Sequence, residues 1–318
     1  MRLLLRKMLL RGRGAPRFLS STTTRVSDQS MDVSASVLGT QMLSEFSWME
    51  RDKMLFERLR EEALSLADDP MLGEIVRSTI LQSEGLVEAV ISIVARKMSR
   101  DIYGTRMRYD ALTQTVGKNL DKDERIGADV LAIMSRDPAA VSYLQVVLFL
   151  KGFHAVQAQR CARELFLTGE ATNIHEAFSF QDRVNELFQV DIHPGADLQG
   201  GLLMDHATGV VIGETAKIGR DCTILHGVTL GGTGKARTDR HPKIGDHVTI
   251  GAGATIVGNV SIGDDCTIGS QAVVSQNVPR GLTVVGQNML LNPALTKTRI
   301  DQVKRRPVTW LYEVSSEA

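Results

Sequence analysis

The hydrophobic residues between positions 191 and 279 recur with a six-residue period. The periodic positions are Ile212, Ile218, Ile224, Leu230, Ile244, Ile250, Ile256, Ile262, Ile268 and Val274. A small or branched residue follows most of them four positions later, and glycine often follows them directly. This period is typical of a parallel β-helix, in which short strands stack coil upon coil and the periodic apolar side chains fill the axis.

Two interruptions of this period stand out. Met204 to Ile212 spans eight residues, which shifts the phase by two. Leu230 to Ile244 spans fourteen residues, two more than two repeats, and includes a glycine-rich stretch at residues 231–235. A stacked solenoid gains no stability from such breaks, whereas loops of repeat proteins commonly carry binding and catalytic residues. We therefore expect the chemistry of this chain in the two breaks.

The chain before the repeats shows the 3.6-residue spacing of amphipathic helices. A first helix is predicted to begin near Trp48. Asp69 and Pro70 have the residue types of an N-cap and a first helical position, and they predict a second helix that runs through Ile80. Further helices are predicted over residues 83–98, 123–135, 139–166 and 173–189.

These patterns predict an α+β fold made of two domains. An all-helical domain is expected over residues 47–189, and a β-helix over residues 190–290. We assign residues 28–46 to a linker and residues 291–318 to a mobile C-terminal tail.

The first 27 residues differ in composition from the rest of the chain. Their charged residues are all basic, no acidic residue precedes Asp28, and serine and threonine cluster at residues 20–24. This composition is typical of an organellar transit peptide. We expect import into mitochondria, with a plastid as the second choice and the cytosol as the third.

The overall composition favours neither a nucleic-acid partner nor a membrane. The formal net charge is +0 at pH 7 and charged residues make up 23% of the chain, so no excess charge attracts a polyanion or a lipid surface. No apolar run reaches the roughly 18 residues that a membrane span needs. The 3 cysteines are too few for a disulfide framework, which favours a reducing compartment.

Five residues of the repeat region can together carry out an acyl transfer. They are Asp191, at its start, and Asp205, His206, Arg240 and His241 in the two breaks. A neutral histidine near pH 7 can take a proton from a hydroxyl when a carboxylate holds its other ring nitrogen. An arginine beside a second histidine offers N–H donors to a substrate carboxylate, and the glycine-rich loop lets an extended cofactor approach the backbone. No serine or cysteine lies in the context of a nucleophile elbow, so direct attack of a hydroxyl on a thioester fits best.

Several motifs of the chain resemble those of the serine O-acetyltransferases. The matching stretches are residues 135–139, 150–155, 191–194, 204–209, 213–216, 228–235 and 239–244. The resemblance covers about residues 50–290, and the combination of motifs is specific. It implies a left-handed β-helix that forms homotrimers, with two trimers commonly joined through their helical domains, and an active site between neighbouring subunits.

The same resemblance implies a role for individual residues. His206 would be the general base and Asp191 would hold it. Serine would be bound by Asp205, Gly232, Arg240 and His241, with Asp137 and Pro138 closing the pocket. Asp137 and Pro138 could also be the N-cap and the first residue of an ordinary helix. Acetyl-CoA would contact Thr233, Ala252 and Ser270. The implied reaction gives O-acetylserine for cysteine biosynthesis, with acetyl-CoA as co-substrate and with no permanently bound cofactor or metal.

The resemblance also implies regulation and partners. L-cysteine would compete for the serine site as a feedback inhibitor. Family members that bind O-acetylserine sulfhydrylase end in an isoleucine, whereas this sequence ends in Glu317 and Ala318. We therefore expect weak or absent binding to sulfhydrylase through this tail.

Three alternative functions stay open at this point. One is another hexapeptide-repeat O-acetyltransferase that acetylates a sugar or an antibiotic, although such an acceptor has no obvious need for the carboxylate site at Arg240 and His241. Another is an enzyme like the trimeric zinc carbonic anhydrases, with His206, His241 and His247 as ligands brought together across subunits. The last is a non-catalytic scaffold for sulfhydrylase, which the presence of both Asp191 and His206 disfavours.

Overall fold

The computed structural model describes residues 47–114, 124–234 and 238–291. The predicted transit peptide, the linker, nearly all of the C-terminal tail and Lys235 lie outside these residues. Helices fill the first part of the described chain: α1 Trp48–Leu64, α2 Gly73–Val76 with a π-helical continuation Arg77–Leu81, α3 Leu86–Met98, α4 Ile102–Leu112, α5 Arg125–Arg136, α6 Tyr143–Phe149, α7 Lys151–Leu167 and α8 Ala171–Phe188.

Helix α1 follows directly from its sequence. Ser47 and Glu50 form a capping box at its N-terminus, which satisfies N–H groups that have no partner inside the helix. Leu55, Leu59 and Ala63 lie on one face and are buried in the core of the helical domain. The predicted start near Trp48 is confirmed.

The prediction of one helix over residues 139–166 is wrong. Two helices, α6 and α7, meet at Leu150, whose backbone is extended. The break lets α7 begin against the β-helix, because a Cβ added at Gly152 would lie 2.0 Å from the main-chain oxygen of Met204. No local pattern in the helical segment encodes this contact.

Other helix boundaries also differ from the sequence pattern. The Asp69 carboxylate accepts hydrogen bonds from the main-chain N–H groups of Met71 and Leu72, but it caps a turn, and the helix begins later, at Gly73. The pattern missed α4 altogether, although its N-cap Asp101 accepts a hydrogen bond from the N–H of Gly104 at 2.6 Å.

Asp137 is not the N-cap of a helix. It is the extended C-cap residue of α5, and its carboxylate accepts a hydrogen bond from the N–H of Ala139 at 2.8 Å. The next helix begins at Tyr143 and is capped by Ser142. The N-cap interpretation of Asp137 and Pro138 is therefore wrong, because the turn at this pair ends one helix without starting another.

A parallel β-helix of short strands follows the helices. Its strands are β1 Asp191–Ile192, β2 Asp197–Leu198, β3 Leu203–Met204, β4 Val211–Ile212, β5 Lys217–Ile218, β6 Thr223–Ile224, β7 Thr229–Gly231, β8 Lys243–Ile244, β9 Thr249–Ile250, β10 Thr255–Val257, β11 Ser261–Ile262, β12 Thr267–Ile268, β13 Val273–Val274, β14 Thr283–Val285 and β15 Met289–Leu291. The chain passes in turn through sheet A (β1, β4, β7, β10, β13), sheet B (β2, β5, β8, β11) and sheet C (β3, β6, β9, β12, β14, β15). Strand β15 pairs antiparallel with β14 and ends sheet C.

The six-residue period corresponds to the interior of this β-helix. Ile212 pairs in register with Ile192 and with Leu230, and all three side chains are buried. Cys222 and Cys266 occupy the small inward positions and are fully or almost fully buried, as the repeat predicts. Full burial of one such isoleucine contributes about 1.5–3 kcal/mol, so the stack carries much of the stability of the domain.

The turns between the sheets, here called the A–B, B–C and C–A corners, are not equivalent. The third residue after the core position takes the left-handed backbone region at B–C and C–A corners, as at Asp221, His247 and Gln271. At the A–B corner, Thr215 holds this third position without a positive φ. A β-branched residue is strongly disfavoured in the left-handed region, so the different turn allows threonine at this corner.

A buried ion pair joins the helices to the first coil of the β-helix. Arg160 of α7 and Asp129 of α5 are each 1% exposed and form a two-pronged contact. Asp129 also accepts a hydrogen bond from the N–H of Leu202, and Arg160 donates to the carbonyl of Gln199, both at 2.9 Å. Among the helices that the structure describes, none has the length and apolar character of a membrane span.

Candidate active site

The loop between β3 and β4 presents His206 at the first C–A corner. His206 and Ala207 adopt the left-handed region, with φ of 56° and 58°, as does Gly209 with 76°. The Ala207 methyl is fully buried, whereas the side chain of His206 is 72% exposed. The two extra residues of this break therefore form an outward bulge that lifts an imidazole off the stacked coils.

Neighbouring elements hold this bulge on three sides. The N–H of Gly209 donates to the carbonyl of Gln189 at 2.7 Å, and the N–H of Gly227 donates to the carbonyl of Thr208 at 2.8 Å. Lys151, the first residue of α7, donates to the Thr208 hydroxyl. The backbone that carries His206 is thus fixed although the imidazole itself is exposed.

Two carboxylates lie at the same corner as His206. Asp205 Oδ2 is 3.5 Å from His206 Nε2. Asp191 pairs in register with Val211, directly after the loop, but its Oδ1 accepts a hydrogen bond from Gln181 Nε2 at 2.6 Å. In the described part of the chain Asp191 makes no hydrogen bond to His206, and its Oδ2 has no hydrogen-bond partner.

Arg240 and His241 lie at the A–B corner, in the long break between β7 and β8. Arg240 forms an ion pair with Glu214, with Nη2 at 2.8 Å from Oε2. Thr215 Oγ1 accepts hydrogen bonds from the N–H groups of both Arg240 and His241 at 3.1 Å. The motif at Glu214 and Thr215 therefore shapes the loop that carries the arginine and the histidine.

His241 is almost buried, with 6% of its surface exposed. Burial lowers the pKa of His241, and the positive charge of Arg240 lowers it further, so the ring is neutral near pH 7. A Cβ at Gly213 would lie 2.0 Å from His241 Nε2, and one at Gly232 would lie 3.1 Å from the same atom. The close approach requires glycine at position 213, whereas a side chain at position 232 would crowd the ring. Gly232 lies beside Arg240 and His241, the two residues with which the resemblance groups it.

The residues expected to contact acetyl-CoA occupy two different corners. Ala252 and Ser270 follow β9 and β12, so they lie at C–A corners of successive coils, on the same edge of the prism as His206. Thr233 lies at the A–B corner, where its methyl group would be 3.3 Å from a Cβ atom added at Gly258.

Asp137 and Pro138 approach the β-helix from the end of α5. Arg136 anchors this helix end by donating to the carbonyls of Gly201 and Asp221 at a B–C corner. In the described residues neither Asp137 nor Pro138 forms a hydrogen bond or an ion pair with His206.

One chain does not bring the candidate residues together. The C–A corner with His206 and the A–B corner with His241 are separated by the sheet A residues 210–213, a distance on the order of 13 Å at about 3.3 Å per residue. His247 lies at a B–C corner, on the third edge of the prism. Within the described ranges no cluster of three or more histidine, cysteine, aspartate or glutamate side chains has the arrangement of a metal site.

The structure adds residues to which sequence reasoning gave no role. Thr215 lies in the motif at residues 213–216. Other corners have a residue with positive φ at the same position, so a β-branched residue there was a usable signal of a different turn. Gln181 lies ten residues before Asp191 on a helix, and no sequence pattern connects the two. Lys151 also stood in a quoted motif, but its contact with Thr208 depends on the packing of α7.

The chain matches two family profiles. Residues 55–158 match the profile described as "Serine acetyltransferase, N-terminal", and residues 241–276 match "Bacterial transferase hexapeptide (six repeats)".

Named relatives cover most of the chain. "Probable serine acetyltransferase 1" of Oryza sativa subsp. japonica is 45% identical over 244 residues, which cover 76% of this chain and 78% of the relative. "Serine acetyltransferase 3, mitochondrial" of Arabidopsis thaliana is 42% identical over 241 residues, and the chain spans 60% of that longer relative.

Solved structures of serine acetyltransferases share the fold. The enzyme of Neisseria gonorrhoeae in complex with serine is 43% identical and superposes with a TM-score of 0.68, covering 73% of this chain and 95% of that one. Two others, in complex with cysteine and with CoA, are each 37% identical, cover 76% of this chain and 99% and 100% of theirs, and give TM-scores of 0.69 and 0.67.

These similarities extend over both the helical domain and the β-helix. The relative from Oryza sativa subsp. japonica is 45% identical, and the chain covers 78% of its length. The chain therefore belongs to the serine acetyltransferase family.

Proposed function

We propose that this protein transfers the acetyl group of acetyl-CoA to the hydroxyl of L-serine. The observation that carries the proposal is the exposed imidazole of His206 on a fixed bulge with two carboxylates at the same corner. His206 takes the serine hydroxyl proton as the oxygen attacks the thioester carbonyl, and a tetrahedral intermediate forms. Its collapse breaks the C–S bond, and the leaving thiolate takes back the proton from the imidazolium. Acetyl-CoA is consumed as a co-substrate, so the reaction needs no resident cofactor.

Asp191 completes the base in this proposal. Gln181 occupies one oxygen of the carboxylate and leaves the other free to accept the N–H of the His206 ring nitrogen that does not take the substrate proton. Such a contact needs a different rotamer of the His206 side chain, which is 72% exposed. The carboxylate then fixes the tautomer of the base and stabilises the imidazolium that forms.

Serine is held at the A–B corner in this proposal. Arg240 offers a planar guanidinium to the substrate carboxylate, and its ion pair with Glu214 supports that orientation before the substrate binds. Asp205 faces the substrate ammonium group from the other corner, with Asp137 and Pro138 closing the pocket. Cysteine has the same carboxylate and ammonium group as serine and so competes for this site as an inhibitor.

The site is completed by two copies of the chain. Since His206 and Arg240 lie on opposite edges of sheet A, one copy contributes its C–A edge and its neighbour contributes its A–B edge. Small side chains at Ala252 and Ser270 leave room along the C–A edge for the extended pantetheine arm of acetyl-CoA. A closed ring of three chains satisfies this geometry with three equal sites.

Mitochondrial import, and weak binding to sulfhydrylase, stay predictions. They rest on residues 1–27 and on the last residues of the chain, which lie outside the described part. One relative carries the word mitochondrial in its name and another, 44% identical, carries the word chloroplastic. These names support an organelle, and the choice of mitochondria stays a prediction.

The test is thiol release from acetyl-CoA with serine, compared with threonine, homoserine and a galactoside. We expect serine to be preferred, and His206→Asn to lower kcat by about 10²–10⁴, the usual contribution of a positioned general base. Asparagine tolerates the left-handed backbone at this position. His247→Asn is the matched control, because His247 is also an exposed, left-handed corner histidine, and it should retain activity. Preference for a galactoside would favour the other O-acetyltransferase function.

A further inference from the structure

The hydroxyl of Thr215 uses its full hydrogen-bonding capacity on the loop that carries Arg240 and His241. Thr215 Oγ1 accepts the N–H groups of Arg240 and His241, both at 3.1 Å, and lies 2.9 Å from His241 Nδ1. A hydroxyl has two lone pairs and one hydrogen. Because the two main-chain donors occupy the lone pairs, the hydroxyl acts as a donor, and its acceptors are His241 Nδ1 and the carboxylate of Asp239.

A second donor approaches the same ring nitrogen. The main-chain N–H of Thr215 points at His241 Nδ1 from 3.2 Å. Two donors directed at one nitrogen leave no place for a hydrogen on it, so the neutral ring carries its hydrogen on Nε2. The tautomer of His241 thus follows from the position of one residue.

The Nε2–H group of His241 has no partner of its own. The ring is 6% exposed, and the described residues provide no hydrogen-bond acceptor for Nε2. The backbone of Gly213 and Gly232 lies beside Nε2, and a side chain at either position would collide with or crowd the ring. A nearly buried donor that faces glycine backbone is available to a ligand.

We infer that Thr215 is a positioning residue of the amino-acid site, which holds His241 as the Nε2–H tautomer so that this N–H donates to an oxygen of the substrate. The inference rests on the proposed function, which supplies the identity of the acceptor. Arg240 and His241 then act as a pair. The arginine binds the substrate carboxylate by charge, and the histidine donates a hydrogen bond to a substrate oxygen at a fixed position.

The test compares Thr215→Val with Thr215→Ser in the full-length enzyme. Valine keeps the shape and the main-chain N–H but removes the hydroxyl, whereas serine keeps the hydroxyl. We expect the valine variant to raise the KM for serine about tenfold, the order of one buried hydrogen bond, with an unchanged KM for acetyl-CoA. The serine variant should restore the wild-type KM within about threefold. Thr267→Val, at an exposed strand position of sheet C, should leave both KM values unchanged.

Two kinetic results would overturn the inference. One is a KM for serine in Thr215→Val within twofold of the wild type. The other is an equal rise of both KM values with a lower melting temperature, because that pattern describes damage to the fold.

The ring nitrogens of His241 give a readout that does not depend on activity. In ¹⁵N-histidine-labelled protein without substrate, nitrogen chemical shifts should identify the Nε2–H tautomer in the wild type. In Thr215→Val, where the main-chain N–H of residue 215 is the one donor left of the two, the share of the Nδ1–H tautomer should rise. A hydrogen on Nδ1 in the wild type would refute the inference even if the enzyme is active. Absence of serine-dependent thiol release with the Nε2–H tautomer in place would instead refute the proposed function.

Discussion

His154 is a buried imidazole that the proposed reaction does not use. It is 2% exposed on α7, and Nε2 lies 2.8 Å from the carbonyl of Val147. Burial, assisted by the charge of Lys97, lowers the pKa of His154 to about 3 from an ordinary value of 6.5. The folded protein therefore excludes a proton that the unfolded chain accepts.

The sign of the resulting pH dependence follows from proton counting. Between pH 6.5 and about 3 the unfolded state binds one more proton at His154 than the folded state. The free energy of unfolding therefore falls as the pH falls through this window, by up to about 1.4 kcal/mol per pH unit. We expect His154→Gln, which keeps a donor but does not titrate, to show a smaller loss of stability between pH 7 and pH 5 in urea unfolding. His175→Gln removes an exposed histidine and should keep the wild-type slope; equal slopes in all three proteins would contradict the prediction.

At the scale of elements, helix α7 connects the helical domain to the reacting residues. Its first residue, Lys151, contacts the bulge of His206, and Gly152 lets its backbone approach β3. Further along the same helix, Arg160 pairs with Asp129 and binds the carbonyl of Gln199 in the first coil. The helical domain is therefore part of the support of the site, and damage to this junction is expected to spread to the bulge.

Removal of one member of this buried pair should be strongly destabilising. Asp129→Ala leaves the Arg160 cation buried without its carboxylate, and such a change costs about 3–5 kcal/mol. The double variant Asp129→Leu with Arg160→Met should be more stable than the single variant, because it leaves no uncompensated charge. Denaturant unfolding of the three proteins checks this order. Glu61→Ala removes the partner of Arg58 in an exposed ion pair and should change little; an equally small loss in Asp129→Ala would show that the junction does not depend on the pair.

At the scale of the whole molecule, sheet A separates the two halves of the proposed site. His206 and Asp205 lie on its C–A edge, and Arg240 and His241 lie on its A–B edge. A site that contains all four residues needs one edge from each of two chains.

Mixing two inactive variants tests this arrangement. His206→Asn disables the C–A edge and Arg240→Ala disables the A–B edge, so each variant alone should be nearly inactive. The two variants are co-expressed in equal amounts with different tags and purified through both tags. A ring of three that contains both chains then combines an intact C–A edge with an intact A–B edge at about one third of its sites. We expect a corresponding recovery of serine-dependent thiol release. No recovery in assemblies shown to contain both chains would place the site within one chain.

The sequence by itself determined the β-helix, because the six-residue period is a local rule. Each coil repeats the same strand and corner. Ile212, Ile218 and Ile224 therefore point inward, whatever the rest of the chain does. Breaks in that period located the two loops of the site for the same reason, and their motifs pointed to the family. Only the tertiary structure decided the contacts between distant residues. Gln181 meets Asp191 because α8 packs on the first coil, Thr215 meets His241 because a fourteen-residue break folds back onto the preceding A–B corner, and the helix breaks at Leu150 where α7 meets the carbonyl of Met204. These pairings depend on how coils and helices stack in space, which spacing along the chain does not encode.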